Sequence, residues 1–147
     1  MFEKYPQAKM VSPSYQVQYA KKVVLPQWRS VSMEDDDCLL CDFLEMATGP
    51  FWTVISSCVA IERETLLSLE QWFPENEKVY EDFDMWIRVG VRHPVAHSKK
   101  VCAVYHREMP NNARETHKAK VVYSSTYMQT LELMMAEQDR TEKQREW

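Results

Sequence analysis

Glycine is the residue that most limits what this chain can form. Only two glycines, Gly49 and Gly90, occur among its 147 residues. A dinucleotide-binding loop of the G-x-G-x-x-G type needs three clustered glycines, and a P-loop needs two at a fixed spacing before Lys-Ser or Lys-Thr. Gly49 and Gly90 alone cannot form either loop, and collagen-like or Gly/Ser-rich structures are excluded as well. Any nucleotide that the protein handles is therefore held without a glycine-rich loop, or by a part of the protein that lies outside this sequence.

The overall composition is typical of a globular chain, which we expect to form one domain over residues 1–147. Hydrophobic residues make up 45% and the formal net charge is −4, so we expect no nucleic-acid partner, which would need a basic patch. The longest apolar stretch, residues 51–61, is too short for a membrane span, and the N-terminus lacks the apolar core of a signal peptide. Four cysteines without a disulfide framework favour a cytoplasmic protein; a peripheral position at the inner membrane face is left open.

Strand and helix patterns alternate along the chain, which predicts an α/β or α+β class. Strands are predicted within residues 1–30, at 51–61 and, as one or two strands, at 95–106. Helices are predicted at 38–46, 62–70, 81–91 and 116–137. Three leucines of the second helix should face inward: Leu66, Leu67 and Leu69. The fourth is a long C-terminal helix with an apolar stripe (Tyr123, Tyr127, Leu131 and Met134), and residues 138–147 are expected to fray.

Three short clusters carry side chains that bind metals in other proteins: the acidic residues 35–37, Cys38 with Cys41, and His93 with His97. Each also has an ordinary structural interpretation. Acidic residues before a helix act as caps and suit its dipole, and two cysteines around a Leu-Leu pair are typical of a buried apolar segment. The histidines have the spacing of helical ligands, but Pro94 prevents a helix between them. A small metal-binding protein is therefore the least favoured hypothesis.

The segment at residues 81–88, EDFDMWIR, carries more charged side chains than any of these three clusters. As a helix it places Glu81, Asp82 and Asp84 in the first turn, where the positive end of the helix dipole stabilises anions. Asp84 and Arg88 are four residues apart and can form an ion pair. The opposite, buried face is formed by Phe83, Trp86 and Ile87. A capped amphipathic helix explains this pattern, and a carboxylate at a helix start that faces a cleft can also act as a base.

Four segments, in this order along the chain, resemble motifs of family 2 glycosyltransferases. Residues 55–66 (ISSCVAIERETL) are similar to the strand-to-helix element S-S-x-x-x-x-R-x-x-L, and residues 73–75 (FPE) to the F-D-E turn. Residues 81–88 resemble E-D-x-D-L-W-L-R, and residues 104–107 (VYHR) resemble the Y-R strand that follows. The resemblance is clear over residues 50–115. It implies the C-terminal, acceptor-side portion of a GT-A fold, a mixed sheet flanked by helices, with the donor-binding half and its D-x-D metal motif expected before it.

The resemblance also implies a role for each site residue. Asp82 would be the catalytic base, flanked by Glu81 and supported by Arg88 and Asp84. The acceptor-binding residues would be Trp72, Ser56 and Ser57, and His106 would be a candidate metal ligand.

The activity implied by the resemblance is that of an inverting glycosyltransferase. The full enzyme would use Mn²⁺ or Mg²⁺ and move a sugar from a nucleotide-sugar donor to a hydroxyl of a carbohydrate or glycoconjugate acceptor, in the synthesis of cell-surface polysaccharide. Because the donor half is expected elsewhere, the chain alone should be inactive. The alternative is a non-catalytic binding or interaction module derived from that fold.

Overall fold

A computed structural model describes residues 1–27, 38–47, 52, 54–75, 77, 79–108, 129–130 and 132–133. These residues form a mixed sheet flanked by helices, which agrees with the predicted α/β class. The strands are β1 (Met10–Gln18), β2 (Val23–Val24), β3 (Cys38–Cys41), β4 (Ala60–Ile61) and β5 (Val95–His106). The helices are α1 (Phe43–Ala47), α2 (Arg63–Leu67) and α3 (Glu81–Gly90), with a 3₁₀ turn over Ser56–Cys58. Among these described helices, none has the length and apolar character that a membrane span requires.

The two longest strands, β1 and β5, run parallel to each other at the centre of the sheet. On the far side of β1, β2 pairs with its C-terminal end and β4 with its N-terminal end, both antiparallel. β3 runs antiparallel to β5 along residues 95–98. The strand order is therefore β2-β1-β5-β3, with β4 also paired to β1.

Helix α3 leads into β5 through only four residues, so its N-terminal end lies toward the carboxyl ends of β1 and β5. Ring contacts agree with this placement. Trp52 packs edge-on against Phe83 in the first turn of α3, with 5.4 Å between ring centroids, and against Tyr105 near the end of β5 at 5.5 Å. The Tyr15 hydroxyl of β1 donates to the Trp52 carbonyl at 2.7 Å. The carboxylates in the first turn of α3 therefore lie at the carboxyl edge of the parallel strand pair.

The largest hydrophobic cluster lies between α3 and the sheet. Trp86 and Ile87 are 1% and 2% exposed, and both pack with Met10 of β1 and Val95 of β5. Phe83 is partly buried against the same cluster, so the predicted buried face of this helix is confirmed. Burial of this face against the central strands fixes the orientation of α3.

The predicted helix over residues 38–46 is wrong in its first half. Residues 38–41 form β3 because they pair with β5, and the helix starts only at Phe43. The Asp42 carboxylate caps it by accepting the N–H groups of the two residues after Phe43, at 2.9 and 3.1 Å. Phe43 in turn packs on Gly90, where an added Cβ would lie 2.4 Å from the Phe43 Cγ. Helices α1 and α3 approach this closely because residue 90 has no side chain.

The predicted strand over residues 51–61 is wrong over most of its described part. Ser56–Cys58 form a 3₁₀ turn, closed by the Cys58 N–H donating to the Ile55 carbonyl at 2.9 Å. Only Ala60–Ile61 pair with β1. The helix predicted next is present as α2 but is shorter, and Leu67, expected to face inward, is 49% exposed.

The remaining predicted elements match where the structure describes them. Helix α3, the single long strand β5 and the early strands β1 and β2 lie where the patterns predicted them. Of the predicted helix over residues 116–137, the described positions 129, 130, 132 and 133 are helical. The rest of that helix, the acidic residues 35–37, Gly49 and residues 138–147 lie outside the described residues.

Candidate functional site

Helix α3 begins at an unusual backbone position. Tyr80, its N-cap residue, has a φ of 67° and a ψ of 8°, in the left-handed region that costs a non-glycine residue about 1–2 kcal/mol. The Tyr80 ring packs edge-on against Phe83 with 5.8 Å between centroids, and the Tyr80 carbonyl accepts the N–H of Asp84 at 3.1 Å. Both contacts favour this conformation, and Tyr80 is where the chain turns into the helix that carries Glu81 and Asp82.

Asp82 is the central side chain of the candidate site. Its Oδ2 accepts a hydrogen bond from the Ser56 hydroxyl at 2.6 Å, and its Oδ1 accepts the N–H of Phe83 at 2.9 Å. The residue is partly buried in the first turn of α3, where the helix dipole stabilises its charge. The fold thus joins two residues 26 positions apart that belong to different sequence motifs.

Asp84, two residues further on, is buried and fully engaged. It is 3% exposed, and its Oδ2 accepts hydrogen bonds from the Arg88 Nε at 3.0 Å and Nη2 at 2.9 Å. Its Oδ1 accepts the hydroxyl of Thr130, a residue in the helical C-terminal segment. The predicted ion pair between Asp84 and Arg88 is therefore present, and the second oxygen of Asp84 links Thr130 to α3.

Arg88 uses its remaining donors to hold the turn before α3. Its Nη1 donates to the Gln71 carbonyl at 2.5 Å and its Nη2 to the Trp72 carbonyl at 2.8 Å. Two aromatic side chains project from this turn, Trp72 at 47% and Phe73 at 45% exposure. The guanidinium therefore fixes the backbone of an exposed aromatic pair relative to the helix that carries Asp82.

Three other predicted site residues have no hydrogen bond to Asp82 within the part of the chain that the structure describes. Glu81, at the first position of α3, is partly buried, and Ser57 is exposed beside Ser56. His106 ends β5 and is exposed. Because side chains alternate along a strand, His106 points to the face of the sheet opposite Tyr105, away from the Trp52–Phe83 contact.

No cluster of three or more His, Cys, Asp or Glu side chains that could hold a metal ion occurs within the part of the chain that the structure describes. Cys38 and Cys41 are three apart on β3 and so face opposite sides of the sheet. The His97 side chain is fully buried, its Nε2 lies 3.2 Å from the Ser14 Oγ, and burial lowers its pKa to about 4. Burial also lowers the pKa of His93, with smaller contributions from neighbouring cations. The described residues do not fit a resident metal beside Asp82.

A cavity of about 290 Å³ lies at the C-terminal end of α3, the end opposite Asp82. It is lined by Leu40, Cys41, Asp42 and residues 90–94. The sequence patterns did not indicate this cavity, because it forms where the end of β3 meets the connection between α3 and β5. A cleft beside Glu81 and Asp82, which the sequence resemblance requires if Asp82 is a base, stays a prediction.

Two features of the site had no signal in the sequence. Nothing in the pattern of the C-terminal segment distinguishes Thr130 as the residue that reaches Asp84. The Arg88 side chain donates to two backbone carbonyls of the preceding turn, and a motif of side chains does not reveal which carbonyls lie nearby. The ion pair with Asp84, by contrast, was visible as an i,i+4 spacing.

Comparison with known proteins adds no relative. No protein-family model matches the chain, and no curated protein or solved structure matches it.

Proposed function

We propose that this chain forms the acceptor-side part of an inverting, family 2-type glycosyltransferase with a GT-A-like sheet. The observation that carries the proposal is the hydrogen bond of 2.6 Å between the Ser56 hydroxyl and the Asp82 carboxylate. It joins the S-S motif and the E-D-x-D motif at one point. Arg88 joins the segment just before the F-P-E turn to the same helix. Two of the four motifs that resemble this family are therefore in contact, and a third follows directly on a segment that is tied to α3.

The position of Asp82 in the fold supports the same conclusion. Ligands of open α/β sheets bind outside the carboxyl ends of the strands, and the first turn of α3 lies at that edge of β1 and β5. Asp82 is only partly buried there, so a substrate hydroxyl can approach it. A base must come within hydrogen-bonding distance of the proton that it removes.

The proposed chemistry is a single displacement at the anomeric carbon of the donor sugar. The acceptor hydroxyl oxygen attacks that carbon, its proton passes to the Asp82 carboxylate, and the bond to the nucleoside diphosphate breaks with the electron pair leaving on the diphosphate. General-base assistance of this kind contributes about 10²–10⁴ in rate. The divalent Mn²⁺ or Mg²⁺ of such an enzyme is assigned to the donor half, and no step by this chain passes through it.

The residues around Asp82 suit a carbohydrate acceptor. Trp72 exposes an aromatic surface on a turn held by Arg88, and an aromatic ring provides a flat apolar surface for the C–H face of a sugar. Glu81 adjoins Asp82 in the chain and Ser57 adjoins Ser56, and both side chains are open to hydrogen bonding with sugar hydroxyls. All four cysteines carry free thiols, which favours a reducing compartment such as the cytoplasm, at the inner face of a membrane where cell-surface polymers are assembled.

A transfer assay tests the proposal. The polypeptide or complex that combines this chain with a donor-binding half is incubated with a panel of nucleotide sugars, Mn²⁺ or Mg²⁺, and glycan acceptors. Asp82→Asn should lower kcat at least about a hundredfold, because the amide cannot take the proton. Glu64→Gln, an exposed carboxylate on α2, is the matched control and should leave kcat unchanged. Full activity of Asp82→Asn would remove Asp82 from the mechanism.

A second measurement distinguishes the glycosyltransferase from the alternative, a non-catalytic binding module. The isolated chain is titrated with the same nucleotide sugars and glycans. Glycan binding by the chain together with no transfer by any combination containing it would favour the module. Transfer that depends on Asp82 would exclude it.

A further inference from the structure

The two oxygens of Asp82 are held by donors from different parts of the fold. Oδ1 accepts the N–H of Phe83, which belongs to α3 itself, and Oδ2 accepts the Ser56 hydroxyl from the 3₁₀ turn. The terminal torsion of a carboxylate is otherwise broadly distributed. One donor on each oxygen therefore fixes the plane of the group and leaves further acceptor capacity on both oxygens for a substrate hydroxyl.

The turn that carries Ser56 is anchored to the central strand. The Cys58 thiol donates to the Pro13 carbonyl of β1 at 3.3 Å and lies 3.6 Å from the Ser14 carbonyl. Burial raises the pKa of this thiol, which keeps it protonated and able to donate. The turn that carries Ser56 is thus tied to β1, and the Ser56 hydroxyl links this turn to α3.

We propose that Ser56 is a positioning residue: its hydroxyl, held relative to β1, orients the Asp82 carboxylate toward the acceptor. This role differs from the acceptor binding that the sequence resemblance implies for Ser56. It rests on the proposed function, because it needs Asp82 to be the base. The same hydrogen bond couples the geometry of the base to the sheet edge at which the acceptor would bind.

A positioning residue should affect kcat, whereas an acceptor-binding residue should affect the KM for the acceptor. Variants of Ser56 in the transferring polypeptide or complex distinguish the two roles. Ser56→Ala should lower kcat about ten- to a hundredfold, the factor typical of a hydrogen bond to a charged group, while the KM for the acceptor changes less than about twofold. Ser56→Thr keeps the hydroxyl and should restore most of kcat. Ser68→Ala is the matched control: Ser68 is an exposed serine on the α2 end whose hydroxyl donates to the Thr65 carbonyl.

The outcomes also separate this inference from the proposed function. A Ser56→Ala variant with a raised acceptor KM and an unchanged kcat would identify Ser56 as an acceptor contact and overturn the positioning role. Unchanged kinetics in Ser56→Ala with an inactive Asp82→Asn would overturn the positioning role alone. A fully active Asp82→Asn would overturn both.

A folding control keeps the test decisive. Melting temperatures of all variants are measured by circular dichroism, and the side-chain ¹³C signal of the Asp82 carboxyl is followed in the isolated chain. A folded Ser56→Ala with an altered Asp82 signal supports the contact, and an unaltered signal overturns it. If Ser56→Ala melts early, Ser56→Cys, similar in size and a weak donor, replaces it with the same expected loss of kcat.

Discussion

Replacing Arg88 by Met removes the counter-ion of a buried carboxylate and keeps an unbranched side chain. Asp84 is 3% exposed, and two nitrogens of Arg88 contact its Oδ2 at 2.9 and 3.0 Å. Removing one partner of a buried pair typically costs about 3–5 kcal/mol, because the other charge stays buried without compensation. The lost hydrogen bonds to Gln71 and Trp72 add about 1 kcal/mol or more. Since domains are stable by only about 5–15 kcal/mol, Arg88→Met should remove a large fraction of the free energy of unfolding.

The measurement is urea denaturation at neutral pH followed by tryptophan fluorescence, with the shift in midpoint converted to a free energy of unfolding. Arg63→Met on α2 is the matched control. The ion pair of Arg63 with Glu64 spans 3.4 Å with both side chains about 80% exposed, so its loss should change stability by less than about 0.5 kcal/mol.

A double variant separates the buried charge from the loss of packing. Asp84→Leu combined with Arg88→Met removes both charges, and exchange of a buried ion pair for apolar groups is often neutral. The double variant should therefore be more stable than Arg88→Met alone. A loss below about 1 kcal/mol for the single variant, or a double variant less stable than it, would refute the reasoning from the buried pair.

Two further predictions concern the core. Gly90→Ala should lower the free energy of unfolding by about 1–3 kcal/mol in the same urea assay, because its methyl group would overlap the buried Phe43 side chain; a neutral substitution would contradict the close contact. Burial lowers the pKa of His97 from 6.5 to about 4, so on acidification the unfolded chain protonates this side chain before the folded chain does. The free energy of unfolding is therefore highest above pH 6.5 and falls by about 3 kcal/mol as the pH drops to 4. His97→Gln should flatten this dependence in thermal melts, and equal slopes for the two proteins would show that His97 is not its source.

The elements that could be predicted from the sequence are those with strong local signals. Helix α3 carries acidic residues in its first turn and apolar residues at helical spacing, and the structure has it at Glu81–Gly90. Strand β5 carries Val95 and Ala96 at its start and a second apolar stretch over residues 101–105, and it lies at Val95–His106. In both cases the local pattern and the tertiary packing favour the same structure.

The errors fall where a non-local interaction decides the outcome. The run Cys38–Cys41 is apolar throughout, and such a short run fits a buried helix or a buried strand equally well. Pairing with β5 makes it a strand, and no local signal reports that partner. Tyr80 is a similar case, since its left-handed φ would ordinarily call for Gly or Asn.

The candidate site divides in the same way. The spacing of Asp84 and Arg88 predicted their ion pair, because residues four apart on a helix are neighbours. The contact between Ser56 and Asp82 depends on how the 3₁₀ turn packs on β1 and how α3 packs on the sheet. Motif resemblance placed both residues in one site without indicating that they touch.

Asp82 and Asp84 show how the fold assigns different roles to two carboxylates in the same helical turn. Both oxygens of Asp84 are engaged, by Arg88 and by Thr130, and the residue is shut off from solvent. Asp82 lies two positions earlier, so it projects from another side of α3 and is partly open, held by one donor on each oxygen. Under the proposed function, a substrate proton therefore passes to Asp82 and not to Asp84. On that proposal, different environments separate the roles of two identical groups: Asp84 with Arg88 is the structural pair, and Asp82 is the base.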